Sequence, residues 1–302
     1  MHISEDYQRK LFPYAYNILG SADDAQDVIQ DVILNYIEKN RADIENGSAY
    51  LIKSVINRAI SLKQRSKKMA GQTVWLPEPV ATETADQKIR SVEILSYSMM
   101  VLLEHLNPRE RAVFILKEAF AYSHEEVSKI FDISAENSRQ LLSRAKNSLK
   151  AAEPDKRIGH APPEDFLMQY VEVIRTGEIS SLEEMLSEEI TAISDGGGKL
   201  KVLREFCSGS SPVAQLTARV YALYLRKCRI EFKSINFQPA LIFFQDDRLV
   251  CCQVLDISAQ TGKIDHIFNV VDPQKLKRLQ KITSSVKPAI GSTGEEVIKA
   301  EI

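Results

Sequence analysis

The polar side chains best suited to chemistry lie between Ser134 and Lys146. Glu136, Asn137, Arg139, Gln140, Ser143, Arg144 and Lys146 share this stretch with an apolar set, Leu141, Leu142, Ala145 and Leu149, at helical spacing. Amide and guanidinium groups on one helix can hydrogen-bond base edges, and the cations can neutralise phosphates. A second cationic run, Lys53, Arg58, Lys63, Arg65, Lys67 and Lys68, contains no acid from its first lysine to its last. It suits either a solvated helix end or a phosphate surface. An acidic face, Asp27, Gln30, Asp31 and Glu38, precedes it and suits a protein partner. Acid–base chemistry is less well served. Asp195 precedes three glycines and reads as a turn former. Asp265 and His266 are neighbours on a strand and so point to opposite faces. Cys207 and Cys228, on helical stretches, and Cys251 and Cys252, on a strand, read as buried small hydrophobes rather than metal or redox groups. No catalytic pair, metal site or cofactor motif is expected.

Helices must position both cationic sets. Apolar residues from Leu11 to Leu19 recur at helical spacing up to a stop at Gly20, and Pro13 should kink that helix or open it. Ser21 is the expected cap of a second helix, with Asp23 and Asp24 at its positive end and an apolar stripe from Ala25 to Ile37. A third helix starts at Ser48 and runs out into the basic tail. Gly71–Val80 holds the only tryptophan, Trp75, beside Pro77 and Pro79, which predicts an extended linker with an anchored centre. Residues 81–86 read as loop, and Ile89 to Leu106 as a helix. Asn107-Pro108 opens the next helix, to Phe120. Ser123 and Glu126 form a capping box for a short helix to Ile130. Phe131-Asp132-Ile133 is a tight turn, and Ser134 caps a last helix to Lys150. Two helices so joined place the second in the DNA major groove. A plain helical hairpin is the rival reading, and the base-reading composition of the last helix weighs against it.

Beyond a polar, proline-bearing linker (Ala151–Pro163) the pattern becomes α+β. Helices are expected over 166–174 and 182–186, a strand over 190–193, a turn at Asp195–Gly198, and helices over 199–209 and 212–226. Strands follow over 229–237, 240–245, 249–257 and 263–271, and 283–302 reads as a tail with little periodicity. Helices first and a curved antiparallel sheet after predict an α+β cone, which could hold a small apolar ligand.

Composition sets the outer bounds. At roughly 150 residues per domain, 302 residues suggest about two domains, and 44% hydrophobic residues exclude wholesale disorder. The net charge of −2, from 41 acidic and 39 basic residues, argues against nucleic-acid binding by bulk charge alone. That average conceals acidic and basic segments sorted along the chain. Four cysteines without a C-x-x-C pair, no basic-then-apolar start and no membrane-length apolar run predict a cytoplasmic protein with no membrane partner.

In order and spacing these motifs resemble a known family. Asp24-Ala25-Gln26-Asp27-Val28-Ile29-Gln30-Asp31-Val32 resembles the polymerase-binding helix of extracytoplasmic-function (group 4, sigma-70 family) sigma factors. Asn107–Lys150 resembles their region 4, including the run Ser138–Ala145. Trp75-Leu76-Pro77-Glu78-Pro79 is similar to the linker signature of the subgroup with a fused C-terminal SnoaL-like domain. Asp195-Gly196-Gly197-Gly198 and Asp272-Pro273-Gln274-Lys275-Leu276 match two further signatures, the second usually opening with Asn. The likeness spans roughly residues 5–280. It implies a multi-domain chain: two all-α sigma-factor domains, the second with a helix-turn-helix, followed by an α+β SnoaL-like cone. Region 2 would occupy 1–70, a linker 71–97, region 4 98–152, a second linker 153–163, the SnoaL-like regulatory domain 164–280 and a tail 281–302.

The resemblance also implies a non-enzymatic subunit that directs promoter-specific transcription initiation, with core RNA polymerase and promoter DNA as partners. Asp27, Gln30 and Asp31 would meet the polymerase. Asn57, Arg58, Ser61, Lys63, Gln64 and Arg65 would meet the −10 element. Ser134, Glu136, Asn137, Arg139, Gln140, Ser143, Arg144 and Lys146 would read the −35 element. Trp75, Leu76, Pro77, Glu78 and Pro79 would pack against Asp195, Gly196, Gly197, Gly198, Asp272, Pro273 and Lys275, so that the third domain acts in cis. Ser61 stands where many relatives have Asp, and no aromatic residue lies between Arg58 and Val74. The group that would hold an unpaired −10 base is therefore not given. Two rivals are a polymerase-independent DNA-binding regulator with a ligand-sensing cone and an enzyme with a helical DNA-binding appendage. The acidic face around Asp27 disfavours the first, and the missing acid–base pair the second.

Overall fold

The computed structural model describes residues 2–38, 46–69, 74–82, 94–152, 164–198 and 200–285. Three helices open the chain: α1 (His2–Leu19), α2 (Ala22–Glu38) and α3 (Gly47–Met69). Pro13 lies inside α1 rather than at its start, and the helix continues through it. α1 ends where Gly20 takes a left-handed conformation, φ +74°, and a side chain there would strike the Trp75 ring. The apolar stripes of the three helices meet in one core that includes Leu11, Ile18, Ile29 and Ile56.

The helix expected over 89–106 is shorter: α4 spans Tyr97–Leu102, capped by the Ser96 hydroxyl, and a 3-10 turn follows over Leu103–His105. Its expected first turns fall outside the described residues. Then come α5 (Pro108–Glu118), α6 (His124–Phe131) and α7 (Ala135–Ala152). The Ser123–Glu126 capping box forms, and Asp132 at φ +53° closes α6. Ser134 Oγ accepts from the Asn137 amide at 3.1 Å. The two helical modules share one core, in which Leu51 and Val55 belong to the same cluster as Val113, Leu116 and Val127.

A buried ionic group reinforces that junction. Lys63 donates to the Leu19 carbonyl at 2.8 Å and pairs with Glu104 at 2.9 Å. Arg111 pairs with the same carboxylate and donates from Nε to the Asn17 carbonyl at 2.8 Å.

The third domain comprises α8 (Glu164–Thr176), α9 (Ile179–Met185), β1 (Leu186–Asp195), β2 (Phe206–Ser208), α10 (Ser210–Val220, continuing as a π turn over Tyr221–Leu225), β3 (Arg229–Ile235), β4 (Gln238–Gln245), β5 (Arg248–Ile257), β6 (Ile264–Val270) and α11 (Pro273–Ser285). The strand order is β2-β1-β6-β5-β4-β3. Four expectations need correction. The sheet is not wholly antiparallel: β1 and β6 pair in parallel, because the β3–β6 meander starts at the far edge and returns to lie beside β1. Residues 200–209 form no helix. The Glu205 carbonyl accepts from the Ser194 amide at 2.9 Å, and β2 extends the sheet edge from there, so edge pairing overrides the local helical spacing. Cys207 accordingly lies on β2, and Cys228 just before β3, rather than on helices. All four cysteines are buried and unbridged. The final segment, expected to lose structure from Thr283, stays helical to Ser285.

Both faces of the sheet are covered. Phe243, Cys251, Leu255 and Ile267 face the core under α8–α10. Ile242, Cys252, Val254 and Phe268 face the opposite way, onto Leu76, Ala81, Tyr97 and Leu279. The linker is thus part of a hydrophobic core.

Burial alone would raise the Glu104 carboxyl, but Arg111 and Lys63 outweigh it and hold the group below its usual range. Burial, with Arg111 beside it, pushes the Lys63 ammonium down to about 8. A depressed carboxylate stabilises fully above its unfolded value, and that contribution is lost as pH falls through the folded one. Replacing Glu104 with alanine strands both cations and should cost about 3–5 kcal/mol. Urea unfolding at neutral pH would register this loss, and E104Q should show a weaker decline in stability below pH 5 than the parent chain.

Candidate nucleic-acid interface and interdomain latch

On α7, Ser134, Glu136, Asn137, Arg139, Gln140, Ser143, Arg144 and Lys146 are all exposed, while Ala145 and Leu149 are buried. Arg139 is shared between Glu125 at 3.6 Å and Glu136 at 3.3 Å, and Lys146 pairs with Glu118 at 2.8 Å. These half-exposed pairs are weak and screened, so the cations remain exchangeable for phosphate. On α2, Asp27, Gln30 and Asp31 are exposed.

The α3 set divides. Asn57, Arg58, Ser61, Gln64 and Arg65 are exposed; Lys63 is buried in the ionic group with Glu104. Arg58 pairs with Asp31 at 3.3 Å, and Ser61 Oγ returns a hydrogen bond to the Asn57 carbonyl. The negative end of α6 rests on this surface. Lys53 donates to the Lys129 carbonyl at 2.8 Å, and Asn57 to the Ile130 carbonyl at 3.4 Å. Part of the basic face of α3 is therefore occupied by the helix-turn-helix of the same chain.

The linker and the third domain are joined by a compact charged cluster. Asp195 Oδ2 accepts from the Leu76 amide at 2.7 Å, and Lys275 donates to the Leu76 carbonyl at 2.6 Å and to Asp195 at 2.5 Å. Trp75 lies between two ammonium groups, Lys63 at 4.1 Å and Lys275 at 4.3 Å from its ring centre. Burial lowers the Lys275 pKa, and Asp195 opposes that shift. The glycine turn is built to fit. The Gly197 amide donates to Asp195 Oδ1 at 2.7 Å, and its left-handed backbone lies so close to Asp272 that a side chain would collide with the carboxylate. Gly196 accepts from Leu200 through its carbonyl, and Gly198 also has positive φ. Asp272 Oδ1 caps α11 through the Gln274 amide, with Pro273 as the first helical residue.

The other half of the linker grips the first domain. Glu78 Oε2 accepts from the Ala22 amide at 2.7 Å and the Asp23 amide at 3.2 Å, which caps α2 from outside the helix. Burial raises the Glu78 pKa despite these amides. The Pro77 carbonyl accepts from Tyr97 at 2.7 Å, and Pro79 is buried.

Sequence reasoning missed a second clamp. Asn236 and Phe237 form the two-residue β3–β4 turn, both at positive φ. Fully buried, Asn236 accepts from the Val80 amide at 3.1 Å and donates to the Leu95 carbonyl at 3.0 Å, with the Tyr16 hydroxyl against its amide. Thr82 pairs with Ser234, and Ala81 bridges Ile235, so the linker adds itself to the edge strand β3. The strand expected to run to Phe237 instead ends at Ile235, because Asn236 and Phe237 take left-handed conformations, and the asparagine's partners lie far along the chain.

Asp195 is committed to the linker, and His266 Nδ1 lies 2.6 Å from Thr191 Oγ1. No cluster of three metal-ligating residues occurs among the described residues, and no described helix is long and apolar enough to cross a membrane.

The described surface thus presents two helices with exposed basic faces, one of them in a helix-turn-helix, beside an acidic helix capped by the linker. Sigma-70 region 2 matches residues 3–69, and sigma-70 region 4 matches residues 97–149. The chain thus carries sigma-70 regions 2 and 4 in order, followed by a third domain built on a mixed sheet. It is 28% identical to the extracytoplasmic-function RNA polymerase sigma factor SigJ of Mycobacterium tuberculosis, over 90% of this chain and 91% of that protein. A probable sigma factor of the same organism, SigI, is 22% identical over 89% and 92%. The crystal structure of M. tuberculosis SigJ shares the fold, with a TM-score of 0.70 at 22% identity, covering 90% of this chain and 96% of that one.

Removing the Asp195 carboxylate leaves Lys275 buried without its counter-ion, a loss of about 3 kcal/mol or more. D195A should lower the thermal midpoint and shift the emission of the single tryptophan to the red as Trp75 gains water. N236A should weaken the same junction from its other end.

Proposed function

We propose that the chain directs promoter-specific transcription initiation as a sigma subunit of RNA polymerase and that its SnoaL-like domain restrains it in cis. In this reading Asp27, Gln30 and Asp31 on α2 meet core polymerase. Asn57, Arg58, Ser61, Gln64 and Arg65 meet the −10 element, and the exposed face of α7 reads the −35 element. Lys63, placed with the −10 set by resemblance, holds Glu104 and the linker in the closed form and reaches DNA only if that form opens. The observation that carries the restraint is the seating of α6 on α3, with Lys53 and Asn57 engaged by its carbonyls. With α6 seated on part of that α3 face, the −10 and −35 readers are held against each other rather than spaced along a promoter. The linker, buried against the sheet, keeps the two modules in that arrangement.

This makes the protein a transcription regulator of the cytoplasm rather than an enzyme, and the acidic α2 face favours it over a regulator that acts without polymerase. Promoter-directed transcription with sigma-free core tests it. The parent chain should give specific transcripts, and D195A and N236A should raise them several-fold at equal core binding. Unchanged output from both variants, with the latch visibly loosened, removes the cis restraint; no specific initiation from any form removes the sigma reading. In binding to promoter DNA, R144A should lower the salt slope by about 1, as expected for one phosphate contact.

A further inference from the structure

The third domain holds a cavity that the latch does not use, about 310 Å³ in volume and closed by the π turn at Tyr221–Leu225, the strap 200–204 and the inner face of the sheet. Its volume falls at the small end of the range for small-molecule sites, about 300–1,000 Å³. Helix segments widened to π geometry recur at functional sites, and here the widened turn brings Tyr221, Tyr224 and Leu225 to the wall.

A directed chain of hydrogen bonds runs along the floor. Tyr170 donates to Gln253 Oε1 at 3.1 Å, Gln253 Nε2 to Asn269 Oδ1 at 2.8 Å, and Asn269 Nδ2 to Ser194 Oγ at 3.2 Å. Each amide is oriented by the group before it, so the Ser194 hydroxyl, the last acceptor, is placed to donate its own proton inward. Most of the remaining wall is apolar. The charged residues among the described lining are Lys201 and Arg204, both exposed on the strap, where Arg204 also lies 3.5 Å from Cys207 Sγ; the lining itself includes no Asp or Glu among the described residues. Leu200 and Leu203 on the same strap are each 47% exposed, and Tyr224 is 61% exposed. That leaves apolar surface at the rim for a ligand to cover.

We propose that this cavity binds a small amphipathic monocarboxylate, with its apolar body against Phe243 and Val250 and its carboxylate toward Lys201, Arg204 and the Ser194 hydroxyl, and that occupancy is felt at the latch. The transmission path is short. Successive residues of β1 point to opposite faces, so Ser194 reaches the cavity while Asp195 holds Leu76 and Lys275. The strap leaves directly from the glycine turn, with the Leu200 amide donating to the Gly196 carbonyl at 3.1 Å. A ligand that pulls on residues 200–204 therefore acts on the turn that fits against Asp272. This second half rests on the cis-restraint reading; the binding half does not.

Octanoate, optically silent and below its micellar range, is a suitable probe for the full chain, followed in parallel by calorimetry and Trp75 emission. Saturable one-site heat should appear with an emission shift that saturates at the same concentration. The double variant K201E/R204E should weaken octanoate by roughly tenfold or more and leave octan-1-ol within about twofold, whereas T217F, which fills the wall, should weaken both. Absence of saturable octanoate binding, or equal affinity in the double variant, overturns the site. Saturable heat with unmoved emission overturns the coupling. Failure of the cis restraint itself would be seen separately, in unchanged transcription by D195A without octanoate.

Discussion

Peptide groups buried between Val74 and Thr82 must find hydrogen-bond partners although the segment forms no helix or full strand of its own. The contacts that tie the linker to all three domains answer that demand. The Leu76 amide and carbonyl go to Asp195 and Lys275, the Pro77 carbonyl to Tyr97, the Glu78 amide to Gly20, the Val80 amide to Asn236 and the Thr82 amide to Ser234. Each partner comes from a different element, so the linker cannot be buried unless all of them are in place. The converse also holds. A linker withdrawn into solvent regains its hydrogen bonds from water but leaves Asp195, Lys275 and Asn236 to be resolvated, and it uncovers the sheet face formed by Ile242, Cys252 and Phe268.

Charge is used twice over. The basic residues of α3 have the composition of a phosphate surface, yet in this form Lys53 caps a helix end and Lys63 closes a buried ionic group with Glu104 and Arg111. Contacts within the chain therefore use basic residues whose spacing alone would assign them to phosphate.

How far the sequence carries depends on the range of the interaction. The capping box at Ser123, the left-handed corner at Asp132 and the stop at Gly20 are local, and their residue types announce them. So do the exposed face of α7 and the glycine turn. The parallel β1–β6 pairing, the edge strand at Phe206–Ser208 and the burial of Lys63 depend on segments far away in the chain, and local periodicity misassigned or missed them. Asn236 is the clearest case. Its spacing placed it inside a strand, and its importance lies in turning the chain and filling a position between Tyr16, Val80 and Leu95. At the site, the motifs gave the two sides of the Asp195 cluster, but nothing in their spacing shows that the same linker also caps α2 through Glu78.

The central pairing of β1 with β6, followed at once by α11 and its Lys275, also orders events in time. Both helical modules precede these elements in the chain, and helical contacts close quickly. A growing polypeptide thus presents its acidic and basic helices to the cell before the strand and helix that hold the linker have been made. Every molecule passes once through a stage in which both helical modules exist and the linker still lacks Lys275 and the β1–β6 pairing.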